Sequence, residues 1–127
     1  MNKPPHILVV DDIGEYAMAL EMYFPDGTET LSATTVADAK KCFNNSKTIN
    51  LSIIDVRLNG DQAGDTSGME LLSWIKEHHP QTKVIMISAY QTFEYEIQAI
   101  ERGAVRFLKK PLQPAEVKAA LQEALKR

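Results

Sequence analysis

The sequence has very little cysteine, no long apolar run and only a small excess of charge. Cys42 is the one cysteine among 127 residues, which excludes an intrachain disulfide and a multi-cysteine metal site. No apolar run approaches the roughly 18 residues that cross a membrane, and the start MNKPPHILVVDD lacks the apolar core of a secretory signal. A net charge of −3 argues against a domain that holds nucleic acid by itself. We therefore expect a cytoplasmic protein with neither a membrane span nor direct nucleic-acid binding.

The composition is that of one globular domain. Hydrophobic residues make up 44% of the chain and charged residues 24%, which is ordinary for a soluble domain. About two thirds of the unfolded surface can be buried at this length, so one core is sufficient. We find no repeat and no linker, and we expect residues 1–127 to form a single domain with no output domain after it.

Short apolar runs alternate with amphipathic stretches along the chain. The predicted strands are HILVV (6–10), ETLSA (29–33), LSIID (51–55), KVIMIS (83–88) and VRFLK (105–109). Four of them are continuous rather than alternating, as in strands that are covered on both faces. Helical spacing of apolar residues predicts helices within 13–24, 36–43, 67–75, 92–102 and 114–125. This order predicts a (βα)5 three-layer α/β sandwich with a parallel sheet.

Two local signals refine the predicted helices. Ser67 and Glu70 have the spacing of a capping box at the start of the third helix. Gly103 follows the fourth helix, where a glycine with a left-handed backbone commonly ends a helix.

A few polar residues stand where the predicted strands end. They are Asp11 and Asp12 after the first strand, Asp55 at the end of the third, Ser88 at the end of the fourth and Lys110 after the fifth. Ligands of open parallel sheets bind beyond the carboxyl ends of the strands, so these groups converge if the first, third, fourth and fifth strands are near neighbours. Three adjacent carboxylates repel one another unless a cation such as Mg²⁺ neutralises them.

The same residues suit a phosphoryl group. A metal ion, an ammonium group and a hydroxyl can surround the phosphoryl oxygens. Aspartate is ionised at neutral pH and can form an acyl phosphate without a general base. Asp55 ends a central predicted strand, so we predict that it is the nucleophile.

The stretches ILVVDD, LSIIDVRL, VIMISAY and GAVRFLKKPL together resemble a response-regulator receiver domain of two-component signalling, over essentially the whole chain. The resemblance implies a flavodoxin-like receiver fold with strand order 2-1-3-4-5. It implies that Asp55 accepts a phosphoryl group from a phosphohistidine on a sensor histidine kinase or a histidine phosphotransfer protein. It also implies a signalling switch rather than an enzyme, although such a switch promotes its own phosphoryl transfer and autodephosphorylation.

The resemblance also implies the metal ligands. Asp12, Asp55 and the backbone carbonyl of Arg57 would ligate Mg²⁺ directly, and Asp11 would assist through water. Mn²⁺ is expected to be able to substitute for Mg²⁺.

Further roles concern the phosphoryl group and the response to it. The Ser88 hydroxyl and the Ala89 backbone N–H would bind the phosphoryl group, and Lys110 would pair with its oxygens. The bond between Lys110 and Pro111 is expected to be cis. Phe107 matches the aromatic switch position, whose ring turns inward when the group is bound. The signal would be displayed on the face made by the fourth helix, the fifth strand and the fifth helix.

The chain departs from the family pattern in three places. The interval from Asp55 to the third helix is longer than usual, and we expect Asp61 and Asp65 in its extended loop, 59–67, to be solvated turn formers. A less favoured alternative is that this loop borders the site. Arg57 and Tyr90 occupy positions that tune phosphoryl lifetime, and their bulk predicts slow autodephosphorylation. Val105 and Arg106 replace a common acidic pair, so the family's salt-bridged homodimer is less strongly predicted here.

Three other functions remain as alternatives. A pseudo-receiver is an interaction module of the same fold that is never phosphorylated, and it usually lacks part of the acidic, hydroxyl and lysine set that is complete here. A magnesium phosphatase of the aspartyl class needs a second aspartate where this chain has Arg57. A flavin module needs a phosphate loop after the first strand, where Asp11 and Asp12 would repel the phosphate.

Overall fold

Strands and helices alternate strictly in the computed structural model, which describes residues 3–45, 48–59, 62, 64–90 and 93–126. The elements are β1 (His6–Val10), α1 (Glu15–Glu21), β2 (Glu29–Ala33), α2 (Val36–Asn45), β3 (Leu51–Asp55), α3 (Ser67–His78), β4 (Lys83–Ser88), α4 (Phe93–Glu101), β5 (Arg106–Lys109) and α5 (Pro114–Ala124). The predicted (βα)5 order is confirmed.

The five strands form one parallel sheet in the order β2-β1-β3-β4-β5. This is the predicted order. The central strand β3 pairs with β1 on one side and β4 on the other, so that Ile53 lies between Val9 and Ile85. Because every strand runs in the same direction, the residues that follow β1, β3, β4 and β5 all lie at one edge of the sheet.

Helices cover both faces of the sheet, which gives the predicted three layers. Leu8 and Ile54 face a core that is shared with α2, α3 and α4, whereas Ile7 and Ile53 face a core that is shared with α1 and α5. All five residues of β3 are buried. Burial of each large aliphatic side chain stabilises the fold by about 1.5–3 kcal/mol. A continuous apolar run is therefore the pattern that a central strand with two covered faces requires.

Two helices differ from the sequence-based expectation at their ends. The helix α1 is shorter than the predicted range 13–24, because the chain before it forms a turn in which the Asp11 carboxylate accepts the N–H of Ile13 at 2.8 Å. The capping box predicted at Ser67 and Glu70 is wrong. Thr66 is the N-cap residue of α3 and makes no side-chain capping bond, and the Ser67 hydroxyl donates to Asp65 instead.

The end of α4 agrees with its prediction. Gly103 has φ of 106° and donates its N–H to the carbonyl of Ile100. Thr92, where the fourth helix was predicted to begin, lies outside the described residues. Among the helices described, none has the length and apolar character needed to traverse a lipid bilayer.

Candidate functional site

The acidic cluster lies at the carboxyl edge of the sheet. Asp11 directly follows β1 and is 2% exposed, and Asp55 is the last residue of β3 and is 6% exposed. Carboxylate oxygens of Asp11, Asp12 and Asp55 all lie within 4.8 Å of one another. The structure thus brings together the three aspartates that the sequence placed after neighbouring strands.

Backbone hydrogen bonds hold the two buried aspartates in place. The N–H of Asp11 donates to the carbonyl of Ala33 at 3.1 Å. The carboxylate of Asp55 accepts the N–H of Arg57 at 3.3 Å, and the N–H of Val56 donates to Ile87 of β4 at 2.9 Å. The sheet and the turn that follows it therefore hold Asp55 rigidly at the centre of the edge.

Lys110 places its ammonium group between two of the carboxylates. Its Nζ lies 2.8 Å from Asp11 Oδ2 and 3.0 Å from Asp55 Oδ2, and the residue is 7% exposed. The peptide bond between Lys110 and Pro111 is cis, as predicted, and Lys109 is exposed. Three ionised carboxylates and one ammonium sum to −2, which a single divalent cation would neutralise.

Burial shifts the pKa values of these groups. Desolvation raises the pKa of Asp55 to about 6, although the charge and hydrogen bond of Lys110 act against the rise. Desolvation also raises the pKa of Asp11. Burial by itself would lower the pKa of Lys110, but its hydrogen bond to Asp11 and the charge of Asp55 outweigh that effect and raise it. The lysine is therefore cationic and Asp55 largely ionised at neutral pH.

Ser88 lies at the same edge, but its hydroxyl is engaged with the following loop. It accepts the N–H of Tyr90 at 2.9 Å and donates to the carbonyl of Tyr90 at 3.0 Å. Ser88 itself is fully buried, whereas Ala89 is exposed. The predicted role of Ser88 in binding a phosphoryl group stays a prediction, and it would require the hydroxyl to exchange its bonds with Tyr90.

The two residues predicted to tune phosphoryl lifetime are in direct contact. The guanidinium carbon of Arg57 lies 3.6 Å from the ring centroid of Tyr90, which is a cation–π arrangement. The Nε of Arg57 is buried and finds no hydrogen-bond partner in the part of the chain described. The backbone N–H of Arg57 donates to the Asp55 carboxylate, so the chain carries this stack only two residues beyond Asp55.

Phe107 occupies β5 beside Met86 of β4. Its ring is half-buried and packs against the core shared with α2, α3 and α4. Its role as a switch stays a prediction.

Two residues near the cluster were not identified as functional from the sequence. Tyr16 was assigned only to the first helix, yet the ammonium of Lys110 lies 3.7 Å from its ring centroid. Gly68 lies so close to β3 that an added Cβ would lie 1.9 Å from the backbone oxygen of Asp55. The one sequence signal for the contact of Tyr16 is its position shortly after the acidic end of β1.

Asp65, in the loop between β3 and α3, makes several hydrogen bonds with described residues of that loop and with Ser67. Its carboxylate accepts the N–H of Asn59 at 3.2 Å, the N–H of Ser67 at 3.3 Å and the hydroxyl of Ser67 at 2.7 Å. Asp65 is partly exposed and its own N–H donates to the carbonyl of Gln62, as expected of a turn former, and its carboxylate also ties Asn59 to Ser67. Asp61 lies outside the described residues.

Comparison with known proteins agrees with this geometry. The family model of the response regulator receiver domain matches residues 7–122. The response regulator protein PilR of Pseudomonas aeruginosa is 33% identical over 120 residues, which cover 94% of this chain and 26% of PilR. The nitrogen assimilation regulatory protein NtrX of Azorhizobium caulinodans is 33% identical over 121 residues, with the same two coverages. The chain thus spans about a quarter of the length of these relatives.

Solved structures of receivers superpose on nearly the whole chain. A response regulator from Thermotoga maritima has a TM-score of 0.83 at 25% identity and covers 98% of this chain and 99% of its own. The receiver domain of NtrX from Brucella abortus has a TM-score of 0.81 at 33% identity, with coverages of 94% and 98%. The resemblance inferred from four short sequence stretches is confirmed, and the chain belongs to the response regulator receiver domain family.

Proposed function

We propose that this receiver accepts a phosphoryl group on Asp55 from the phosphohistidine of a sensor histidine kinase or a histidine phosphotransfer protein, in a Mg²⁺-dependent reaction in the cytoplasm. One observation carries the proposal: in a member of the receiver family, three carboxylates converge within 4.8 Å and a buried lysine bonds to two of them. The comparisons give no support to the alternative of a pseudo-receiver.

The chemistry requires one displacement at phosphorus. A carboxylate oxygen of Asp55 attacks the phosphorus atom, the P–N bond of the phosphohistidine breaks, and its electron pair leaves with the imidazole. No general base is needed, because a carboxyl with a pKa of about 6 is largely ionised at neutral pH. The Lys110 ammonium, already 3.0 Å from Asp55, would pair with the phosphoryl oxygens.

The donor set suits a hard divalent cation. Asp11, Asp12, Asp55 and the backbone carbonyl of Arg57 would hold Mg²⁺, and Mn²⁺ could replace it. When bound, the ion would neutralise negative charge on the phosphoryl oxygens in the transition state. The three carboxylates would hold the ion, and Asp55 would at the same time supply the attacking oxygen.

Phosphorylation would then act through Ser88. Its hydroxyl would exchange the backbone of Tyr90 for a phosphoryl oxygen, joined by the N–H of Ala89, and so release the loop after β4. We propose that Phe107 turns inward in response and that α4, β5 and α5 display the signal. Three large apolar residues on α4 are exposed and available to a partner: Phe93, Ile97 and Ile100.

We further propose that the stack of Arg57 on Tyr90 slows hydrolysis of the acyl phosphate by keeping water from Asp55. Replacement of both residues by small polar ones, Arg57→Asn with Tyr90→Ser, should speed autodephosphorylation. Lys109→Ala, at an exposed position near the site, provides the control. An unchanged hydrolysis rate in the double variant would refute this role.

Intact-mass measurement after incubation with acetyl phosphate and Mg²⁺ tests the proposed function. We expect the wild-type protein to gain one phosphoryl group and Asp55→Asn to gain none. Asp65→Asn, in the loop outside the cluster, should gain the group as the wild type does. Failure of the wild type to gain mass with acetyl phosphate or with a phosphorylated histidine kinase would overturn the proposal.

The chain itself is taken as one receiver domain over residues 1–127, acting as a signalling switch rather than as a classical enzyme. We propose that it acts on a downstream output domain or protein, and PilR and NtrX extend well beyond the matched region.

A further inference from the structure

The ring of Tyr16 covers one side of the Lys110 ammonium. Tyr16 lies in the first turn of α1, and the Nζ of Lys110 is 3.7 Å from the centre of its ring. The turn that leads into this helix is anchored on the cluster, because the Asp11 carboxylate accepts the N–H of Ile13 and the N–H of Tyr16 donates to the carbonyl of Ile13. The ring is therefore attached to the same strand end as Asp11.

This contact completes the environment of a buried cation. An ammonium has three N–H donors and no acceptor, and two of its directions are used by Asp11 and Asp55. An aromatic face attracts the cation, and the attraction is stronger where water is excluded. Lys110 is almost fully buried, so the ring of Tyr16 takes a place that water would otherwise occupy. The lysine side chain is a flexible four-carbon chain, so without the Tyr16 ring the ammonium group has more freedom to leave the site.

Tyr16 differs in its surroundings from a tyrosine nearby in the chain. Tyr23, just after α1, packs against the core shared with α1 and α5. The ring of Tyr16 instead contacts the ammonium of Lys110. Tyr16 follows β1, a strand next to β3, and the Lys110 ammonium that it covers is the cation shown to contact the Asp55 carboxylate.

We propose that Tyr16 is a positioning residue, whose ring holds the Lys110 ammonium against Asp55 for the incoming phosphoryl group. The inference rests on the proposed function, in which Lys110 pairs with the phosphoryl oxygens. The ring face performs this role and the phenol hydroxyl does not, so phenylalanine should replace tyrosine without loss.

Three variants of the whole chain test the proposal. Tyr16→Leu removes the ring, Tyr16→Phe keeps it, and Tyr23→Leu removes a tyrosine that does not touch Lys110. The first readout is the initial rate of phosphorylation by acetyl phosphate with Mg²⁺, followed by intact mass. We expect Tyr16→Leu to be slower by about tenfold, in line with the strength of a desolvated cation–π contact, and the other two to stay within about twofold of the wild type.

The second readout is the proton NMR shift of the Lys110 ε-methylene group, assigned by its loss in Lys110→Arg. A methylene that lies over an aromatic face resonates upfield, and this signature does not depend on phosphorylation. We expect it in the wild type, Tyr16→Phe and Tyr23→Leu, and its loss in Tyr16→Leu. If Tyr16→Leu does not fold, as judged by circular dichroism, Tyr16→Met takes its place with both readouts.

The results separate this inference from the proposed function. A wild-type protein that takes up no phosphoryl group would overturn the proposed function, and the NMR signature would still show whether the ring holds Lys110. A Tyr16→Leu variant with the wild-type rate and an unchanged Lys110 resonance would overturn the positioning role. So would a Tyr16→Phe variant as slow as Tyr16→Leu, because the hydroxyl would then be the active group.

Discussion

The ammonium of Lys110 lies 3.0 Å from the carboxylate of Asp55, and the same nitrogen lies 2.8 Å from Asp11. Two buried carboxylates are thus neutralised in part by a cation from the opposite end of the sequence. The interaction ties the loop after β5 to the ends of β1 and β3. The interactions that stabilise this edge of the sheet therefore involve the same three side chains as the proposed phosphoryl chemistry.

Removal of the lysine should destabilise the fold when no metal is present. In Lys110→Ala, Asp11 and Asp55 lose their shared counter-ion while they remain buried, so we expect a loss of about 1–3 kcal/mol in the free energy of unfolding. Urea denaturation in buffer with a chelator measures this, and added Mg²⁺ should recover part of the loss. The neighbouring Lys109→Ala, at an exposed position, should change stability by less than about 0.5 kcal/mol. Equal effects of the two substitutions would contradict the structural role of Lys110.

Stability without metal should depend on pH through Asp55. Its pKa of about 6 in the folded protein exceeds the unfolded value of 3.8, so the folded state binds more protons between these values. The free energy of unfolding should therefore fall as the pH rises from about 4 to about 6, by at most about 3 kcal/mol from this group. Urea denaturation of the wild type and of Asp55→Asn at a series of pH values isolates the effect, because the variant lacks the titrating carboxyl. The prediction is contradicted if the free energy of unfolding of the wild type, measured relative to that of Asp55→Asn, stays constant or rises from about pH 4 to about pH 6.

Gly68 should tolerate no side chain. A Cβ there would lie 1.9 Å from the backbone carbonyl oxygen of Asp55 and 2.8 Å from the backbone carbonyl oxygen of Val56. Gly68→Ala must therefore displace α3 from β3. We expect a loss of more than about 2 kcal/mol in stability and slower phosphorylation by acetyl phosphate.

A second glycine provides the matched control for Gly68. Gly14 has helical φ and ψ and no atom within 4 Å of an added Cβ, so Gly14→Ala should be neutral or stabilising by up to about 1 kcal/mol. A Gly68→Ala protein as stable as Gly14→Ala would show that the close approach to Asp55 is relieved without cost.

Asp65 should hold its loop closed. Asp65→Ala removes three hydrogen bonds, from the N–H groups of Asn59 and Ser67 and from the Ser67 hydroxyl, so we expect about 1 kcal/mol lower stability. Hydrogen exchange at the amides of Asn59 and Ser67 should become faster. Ser67→Ala, which removes one of the three bonds, should have a smaller effect. Unchanged exchange at both amides would mean that Asp65 does not organise the loop.

The fold could be predicted because its signals are local and repeated. Continuous apolar runs such as LSIID require two covered faces, and the helical spacing between them requires parallel crossovers. The boundaries were less predictable. Ser67 and Glu70 have the spacing of a capping box, but the hydroxyl of Ser67 found a stronger partner in the carboxylate of Asp65.

The sequence by itself determined that Asp11, Asp12, Asp55 and Lys110 follow strand ends at one edge of a parallel sheet, because all parallel strands end at the same edge. Their meeting also requires the strand order β2-β1-β3-β4-β5, which the family resemblance implied and the strand pairing confirmed. Only the tertiary structure decided that Tyr16 covers Lys110 and Tyr90 covers Arg57. It also decided that Gly68 is the residue of α3 that closely approaches the backbone of Asp55. Those contacts join residues from different loops and helices, and they depend on side-chain directions and close approaches that no periodicity in the chain encodes.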